Sequence, residues 1–333
     1  MTTVAISKDW DWPDLLAQTP GGRGEWDGIR FTLDPVARAD YAVVLNKPAA
    51  GRGATCPADC RWAVMQEPPD EFHRALHAGN QRCCRVYTQA TDLRGARYVH
   101  SQGALPWHIN RNYDFLTACE PPQKTRRVSW ITSAKAKSEG HRRRLRFLDA
   151  LREKVDLDLP ATYNYYRLRE PSLTREAFLA RAAGSGRLGV EDKWEGLAPY
   201  RYSIAVENFS GPYYWSEKLA DCFLAWTMPL YYGCSNITDY FPEQSLIAFD
   251  IDDPAAVDLI REVVESDLWG ERREAIAHAR DLVLNRYQLF PFLTREIRAH
   301  ERQPPGRRAV RRVSCEIRNG LRSAAGRLRR VLR

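Results

Sequence analysis

The chain has 333 residues, of which 44% are hydrophobic and 28% charged, a composition typical of a globular protein long enough for two domains. Its net charge of +8 lies in the C-terminal tail, because residues 305–333 contain ten Arg and one Glu and the rest is close to neutral. This argues against a nucleic-acid partner, whose basic binding surface should lie on a folded domain. There is no signal-peptide pattern and no apolar run of about 20 residues that could span a bilayer, so we expect a cytoplasmic protein.

Strands and helices alternate in the first 120 residues. Short apolar runs predict buried strands at 40–46, 61–66 and 84–88, and a helix is predicted at 70–77. This alternation favours a mainly parallel sheet covered on both faces. The polar segment 120–127 contains two prolines and is predicted to be a linker. We therefore predict domains at 1–124 and 125–303, followed by a tail at 304–333.

The second domain is predicted to begin with another strand–helix unit. Residues 128–132 form a predicted strand, and residues 133–140 a small polar loop. From about residue 141 we expect a helix with Leu145, Leu148 and Leu151 on its apolar side.

Four of the eight cysteines raise the question of a zinc site. Cys56 and Cys60, followed by the adjacent Cys83 and Cys84, could supply four thiolates. The spacing is poor, since adjacent cysteines rarely reach one tetrahedral ion. We therefore favour reduced, mostly buried cysteines and predict no bound metal.

The segment 200–250 has the pattern of a ligand site. An apolar strand at 204–206 ends in Glu207 and Asn208, a Gly-Pro loop follows, and Ser216 is a good N-cap for the next helix. The carboxyl end of a strand, a loop and a helix N-terminus together form the place where α/β sheets bind ligands. Strand-end side chains satisfied by neighbouring backbone are the alternative for Glu207 and Asn208.

Lys218 lies in the first turn of that helix, where the macrodipole makes a cation unfavourable. A bound diphosphate would reverse the sign, because backbone N–H groups and Lys218 would converge on its oxygens. Alternatively, Lys218 points to solvent.

The block Tyr-x-x-Ser-Ile-Ala-Val-Glu-Asn, then Ser-Glu-Lys, Met-Pro-Leu-Tyr-Tyr-Gly and Asp-Tyr-Phe-Pro, resembles glycosyltransferase family 10, the inverting α-1,3/1,4-fucosyltransferases of bacterial type. The resemblance implies an α/β, GT-B-like fold with two Rossmann-like domains facing a cleft. It also implies a GDP-fucose donor and a glycan acceptor. Carried over by position, it assigns donor binding to five residues of this segment: Glu207, Asn208, Tyr214, Glu217 and Lys218.

The resemblance extends upstream to the helix predicted from residue 141. The family has an Arg seven residues before a helix Leu, and that position is Arg144 here. It would neutralise the leaving diphosphate with a planar fork of donors. Arg142 and Arg143 leave the register open, and a solvated helix face is the other interpretation. Ala134 follows Ser133 where the family has Asn.

The resemblance also implies a general base. Inverting transfer removes a proton from the acceptor hydroxyl as the new bond forms. The family uses a Glu after a strand of the N-terminal domain, and Glu67 has that context. Pro68 favours extended backbone at Glu67. An ordinary surface Glu is the alternative, and Asp70 and Glu71 are the nearest substitutes.

The Asp-x-Asp of residues 250–252 could instead hold Mn²⁺, as in metal-dependent sugar transferases. Asp253-Pro254 followed by an apolar pattern is more typical of a helix start, with Asp253 as N-cap. With Arg144 and Lys218 available to balance a diphosphate, we expect no required cofactor, and Mn or Mg to be at most stimulatory.

The tail has apolar residues every three, four or seven positions between Val310 and Val331, with Arg on much of the other face. This predicts a basic amphipathic helix that binds an anionic membrane surface, at the inner face of the membrane, through 305–333. A helix packed on the body or a disordered tail are the alternatives. The rival functions are a transferase using another NDP-sugar, and an inactive membrane- or nucleic-acid-binding adaptor.

Overall fold

The computed structural model describes residues 1–48, 54–80, 82–136, 138–168, 170–303 and 312–313. By their contacts these residues divide into two compact units. The first unit contains residues 1–12, 24–101 and the described residues from 293 onward. The second unit contains residues 13–23 and 102–292.

Fifteen strands are present in the described residues. In chain order they are β1 (Thr2–Ser7), β2 (Glu25–Trp26), β3 (Ile29–Thr32), β4 (Tyr41–Leu45), β5 (Cys56–Pro57), β6 (Arg61–Val64), β7 (Arg85–Thr88), β8 (Tyr98–His100), β9 (Arg126–Ser129), β10 (Pro160–Thr162), β11 (Leu188–Val190), β12 (Tyr200–Gly211), β13 (Met228–Cys234), β14 (Ile247–Ala248) and β15 (Arg312–Val313).

Ten α-helices accompany these strands in the same part of the chain. In chain order they are α1 (Arg74–Gly79), α2 (Tyr113–Ala118), α3 (Glu139–Lys154), α4 (Tyr163–Arg167), α5 (Arg175–Gly184), α6 (Glu217–Leu224), α7 (Ala256–Glu265), α8 (Leu268–Glu271), α9 (Arg273–Leu282) and α10 (Leu289–Glu301).

The first unit is built on a seven-stranded sheet with the order β2-β3-β1-β4-β6-β7-β8. All neighbouring strands are parallel except the β2–β3 pair. The central strand β4 is buried along its whole length, as expected for a parallel strand covered on both faces. Because β4 and β6 are neighbours, the residues that follow them, including Asn46 and Glu67, lie at one edge of the sheet.

The second unit is built on a parallel four-stranded sheet with the order β14-β13-β12-β9. Successive side chains of a strand point to opposite faces. On β12, Ile204 and Val206 join a core cluster with α3 and α7, whereas Ala205 between them joins a second cluster with α6 and α9. The sheet is thus covered by helices on both faces, and α3 and α6 begin near its carboxyl edge.

The predicted α/β class with two parallel-sheet units is confirmed. Most predicted elements are present with shifted ends: the helix predicted at 70–77 forms at Arg74–Gly79, after a turn at 70–73. The helix predicted from 141 begins at Glu139, because Ser138 accepts a hydrogen bond from the N–H of His141 and caps it. The domain limits 1–124 and 125–303 stay a prediction; the contact-based division falls at residues 101 and 292.

The predicted tail helix lies outside the described residues except at β15. There the prediction is wrong, because Arg312–Val313 pairs antiparallel with Cys56–Pro57 and satisfies strand rather than helix hydrogen bonds. Among the described residues, no helix combines the length and apolar character needed to cross a membrane.

Candidate nucleotide-sugar site

The candidate site begins where β12 leads into α6. The strand is longer than predicted, because residues 207–211 continue it through a register shift between Val206 and Gly211. The expectation that regular structure ends at Asn208 is therefore wrong: Gly211 still pairs with Cys234 of β13. Ser216 caps α6 as predicted, since its hydroxyl accepts the N–H of Lys218.

Glu207 is buried beneath the start of α6. Its carboxylate accepts hydrogen bonds from the backbone N–H of Ser216 at 2.8 Å and from the ammonium of Lys218 at 3.1 Å. The Ser216 hydroxyl contacts both carboxylate oxygens, at 2.8 and 2.7 Å. A Cβ on Gly233 of the neighbouring strand would lie 2.5 Å from Cγ of Glu207, so only glycine fits there. Glu207 therefore holds the cap and the lysine in place.

The charge of Lys218 is balanced within the chain. Its ammonium also lies 3.7 Å from Glu217, and these two glutamates raise the pKa of Lys218, although burial alone would lower it. Burial would raise the pKa of Glu217, but Lys218, His108 and Lys193 together hold it well below its usual range. The unfavourable position of Lys218 in the first turn of α6 is therefore compensated within the chain, because Glu207 and Glu217 supply negative charge beside its ammonium.

The three consecutive arginines at the start of α3 have different partners. Arg142 Nε donates to Glu139 at 2.9 Å on the exposed surface. Arg143 Nε donates to Asp252 at 3.1 Å. Arg144 turns inward, and its Nη1 donates to Oδ1 of Asn208 at 2.8 Å. The register that the sequence left open is resolved: of these three, Arg144 faces the strand end.

Arg144 is a buried cation with no acidic partner among the described residues. It is 3% exposed, and it also donates to the carbonyl of Ser133 at 3.0 Å and to the carbonyl of Lys135 at 3.5 Å. Its Nε has no hydrogen-bond partner in the described part of the chain. Burial lowers the pKa of Arg144 to about 10, and the nearby Arg187 adds to this effect. The guanidinium is thus buried, has an unused donor and lies near a second cation, and such a site favours an anion.

The backbone brings α3 unusually close to β12. A Cβ on Gly140 would lie 3.0 Å from the carbonyl carbon of Asn208 and closer still to its oxygen. Gly140 therefore sets the separation at which Arg144 reaches Asn208. Sequence reasoning treated this glycine only as the end of a loop.

A second cluster of charged groups, which the sequence did not reveal, forms around Asp221 of α6. Asp221 is fully buried and accepts the ammonium of Lys193 at 2.6 Å and the backbone N–H of His108 at 3.1 Å. Burial raises the pKa of Asp221 to about 6, against the opposing effect of Lys193. The His108 ring lies 4.0 Å from Glu217, and burial lowers the pKa of this ring to about 4. Asp221 thus brings a neutral imidazole and a lysine beside Glu217.

Tyr214 lies in the turn between β12 and α6. It is 4% exposed, and its ring packs edge-on against Phe209 at a centroid distance of 5.8 Å. The preceding Tyr213 has a positive φ of 67°, and its N–H is held by the side chain of Asn236. The structure thus brings Glu207, Asn208, Tyr214, Glu217, Lys218 and Arg144 together in one unit.

Glu67 lies in the other unit, three residues after β6. Its side chain is 49% exposed, whereas its backbone is fixed at both ends. The buried Asn46 side chain accepts its N–H at 3.2 Å, and the buried His77 Nε2 donates to its carbonyl at 2.9 Å. His77 Nδ1 in turn contacts the hydroxyl of Thr88 at 2.6 Å, and burial lowers the pKa of His77. An exposed carboxylate on a rigid backbone is suited to act on a bound molecule.

The aspartates of residues 250–253, considered above as a possible Mn²⁺ site, have structural roles. Asp252 is paired with Arg143, and the Asp253 carboxylate accepts the N–H of Ala255. The prediction that Asp253 is the N-cap is wrong, since α7 begins at Ala256 with Ala255 at the capping position. Cys56, Cys60 and Cys83 are buried, reduced thiols, and Cys84 is an exposed reduced thiol.

Comparison with known proteins gives one informative sequence relative. The chain is 25% identical over 125 residues to α-(1,3)-fucosyltransferase B of Drosophila melanogaster. The resemblance to α1,3-fucosyltransferases is confirmed. The match covers 36% of this chain, and the chain spans only 28% of that relative. No protein-family model matches the chain.

Solved structures of glycosyltransferases are distantly similar. A crystal structure of an α1,3-fucosyltransferase with GDP-fucose is 14% identical, with a TM-score of 0.45 over 87% of this chain and 92% of the other. Anabaena HepE in complex with UDP-glucose is 9% identical, with a TM-score of 0.49 over 90% of this chain and all of the other. Both scores are below 0.5, so neither assigns a donor.

Proposed function

We propose that the protein is an inverting fucosyltransferase that moves fucose from GDP-fucose to a hydroxyl of a glycan. The observation that carries the proposal is Arg144, a buried guanidinium with an unused Nε, held against Asn208 within the unit that contains the capped start of α6. The sequence similarity to an α1,3-fucosyltransferase supports the choice of sugar.

In the proposed donor complex, the diphosphate lies between Arg144 and Lys218. The positive charge of Arg144 lowers the pKa of Lys218, so the two cations lie close enough to repel each other. A diphosphate there would accept hydrogen bonds from the Nε of Arg144 and from the ammonium of Lys218. Glu217, which is 16% exposed and ionised, would accept the ribose hydroxyls, and Asn208 and Tyr214 would complete the site. Glu207 would position Lys218 rather than contact the donor, because its oxygens are already occupied.

The reaction is a single displacement at the anomeric carbon. The acceptor oxygen forms the new bond as the bond to the diphosphate oxygen breaks, and the electron pair leaves on the β-phosphate. We assign Glu67 as the general base that takes the acceptor proton. Arg144 and Lys218 stabilise the developing charge on GDP, so the proposal requires no metal ion or other cofactor.

Nucleotide selectivity tests the donor part of the proposal. We expect GDP to raise the melting temperature of the protein more than UDP or ADP at equal concentration, because the nucleotide that binds the folded state most tightly stabilises it most. Equal shifts for GDP and UDP would favour the rival transferase that uses another NDP-sugar. No shift with any nucleotide would favour an inactive adaptor.

Glu67→Gln tests the base. The variant should lose transfer by about 100-fold or more while keeping the GDP-dependent shift, because the amide cannot accept the proton. Glu71→Gln, three residues after Pro68, is the matched control and should retain activity. Full activity of Glu67→Gln would remove this residue from the mechanism.

The tail supports a separate proposal of membrane-surface binding. Residues 305–333 carry a net charge of +9, and each Arg near an anionic surface contributes about 1 kcal/mol. Deleting 305–333 should abolish co-sedimentation with phosphatidylglycerol vesicles and leave transfer to a free glycan intact. Unchanged sedimentation would contradict this role.

A further inference from the structure

The His73 ring lies between two carboxylates, that of Asp70 and that of Glu67, the proposed base. Its Nδ1 is 2.7 Å from Oδ1 of Asp70, and its Nε2 is 3.7 Å from Oε2 of Glu67. The titratable groups that face it are Glu67, Asp70 and, from α1, His77. The side chains of Glu67 and His73 are 49% and 33% exposed, so both reach solvent.

Asp70 fixes the protonation pattern of the imidazole. Its Oδ1 also accepts the backbone N–H groups of Phe72 at 3.1 Å and of His73 at 3.0 Å. An ionised carboxylate only accepts hydrogen bonds, so Nδ1 of His73 must donate to it. In the neutral ring the proton is therefore on Nδ1, and the lone pair of Nε2 faces Glu67.

We propose that His73 is a positioning residue and proton relay for Glu67, an inference that rests on the proposed function. Glu67 takes the acceptor proton on Oε2, which turns its carboxylate into a donor facing the Nε2 lone pair. The proton then passes to Nε2, giving an imidazolium paired with Asp70, and leaves from this exposed ring to solvent. Glu67 is restored as a carboxylate, and no other reactant is consumed.

The distance of 3.7 Å is longer than a hydrogen bond. The Glu67 backbone is held by Asn46 and His77, but its half-exposed side chain is free to rotate. A rotation, or one intervening water, brings Oε2 within reach of Nε2. Because the Glu67 backbone is fixed, only its side chain has to move.

Chemical rescue tests the relay. We expect His73→Ala to lower kcat on the order of 10- to 100-fold with unchanged KM for GDP-fucose, and added imidazole to restore transfer in a concentration-dependent way. His278→Ala, at an exposed histidine on α9, should behave as wild type with or without imidazole. A His73→Ala variant as active as His278→Ala, or one whose loss imidazole does not repair, would overturn the relay.

Two further readouts separate the relay from the proposed function. Glu67→Gln should be inactive, and imidazole should not restore its activity. If Glu67→Gln is active, the base assignment and the relay both fail. If Glu67→Gln is inactive but His73→Ala is active, only the relay fails. Nitrogen chemical shifts of the neutral His73 ring do not depend on activity. They should show the proton on Nδ1, and a ring protonated on Nε2 would overturn the proposal even for a chain without measurable transfer.

Discussion

Gly140→Ala perturbs the contact that brings Arg144 to the strand end. The added Cβ would lie 3.0 Å from the Asn208 carbonyl carbon and closer still to its oxygen, whereas ordinary contacts begin near 3.4 Å. The atoms that the Cβ would meet are backbone atoms of Asn208, so no flexible side chain can move aside. Helix α3 and strand β12 must separate by about 1 Å, because close-packed interiors do not absorb such an overlap locally.

That separation has a calculable consequence. The hydrogen bond from Arg144 to Asn208 would lengthen from 2.8 Å to about 3.8 Å, beyond hydrogen-bond range. Overpacking costs about 1–3 kcal/mol, and a lost hydrogen bond to a charged group adds about 1.5–3 kcal/mol. We expect a destabilisation of about 2–4 kcal/mol, since the two effects partly overlap, and a GDP affinity at least about tenfold weaker.

Calorimetry provides the assay, with a thermal scan for stability and a GDP titration for affinity. Gly184→Ala is the matched control, because a Cβ there would meet none of the described residues within 4 Å beyond its chain neighbours and its own helix, and the residue ends α5 in the same unit. It should be neutral or slightly stabilising. If Gly140→Ala matches Gly184→Ala in both measurements, the close approach does not position Arg144.

Three other predictions concern the same unit. Arg144→Met should abolish the GDP-dependent thermal shift and change the stability of the ligand-free protein by less than about 1 kcal/mol, because the lost hydrogen bond to Asn208 is offset by the removal of a buried charge that has no acidic partner among the described residues. Arg142→Met, at an exposed position, should change neither quantity, and a retained GDP shift in Arg144→Met would refute the anion site. Gly233→Ala should destabilise by about 1–3 kcal/mol, measured by denaturant unfolding, because its Cβ would lie 2.5 Å from Cγ of Glu207; wild-type stability would show that the strand can yield. The folded-state pKa of His108 lies at about 4, below its unfolded value of about 6.5. The unfolded chain therefore binds this proton first as pH falls, so stability is highest above about pH 6.5 and decreases as pH falls toward 4. The free energy of unfolding should fall between pH 7 and pH 5 by about 1–2 kcal/mol more in wild type than in His108→Gln. Equal decreases in the two proteins would refute the lowered pKa of His108.

The sequence predicted the local chemistry of the site because that chemistry depends on near neighbours. The N-cap at Ser216 follows from a hydroxyl before an amphipathic helix, and the structure has this cap. The parallel sheets follow from alternating elements, which the strand order confirms. The resemblance also marked Arg144, whose inward orientation only the structure resolves.

The remaining features depend on contacts between distant segments. The sequence presents Lys218 as an uncompensated cation, since it does not show that Glu207, eleven positions earlier, folds beneath it. Asp221 and Lys193 are separated by 28 positions, and no local pattern predicts their ion pair. Gly140 has no distinguishing sequence signal, because its role depends on a backbone carbonyl 68 residues away.

Transfer from GDP-fucose tests the central claim most directly. Purified protein is incubated with isotopically labelled GDP-fucose and a panel of glycans, and products are analysed by mass spectrometry, with Arg144→Met as the control. The proposed function predicts a labelled fucosyl product and stoichiometric GDP from the wild-type chain, and at least about tenfold less of both from Arg144→Met. Transfer from a UDP-sugar but not from GDP-fucose, or equal transfer by the control, would contradict it.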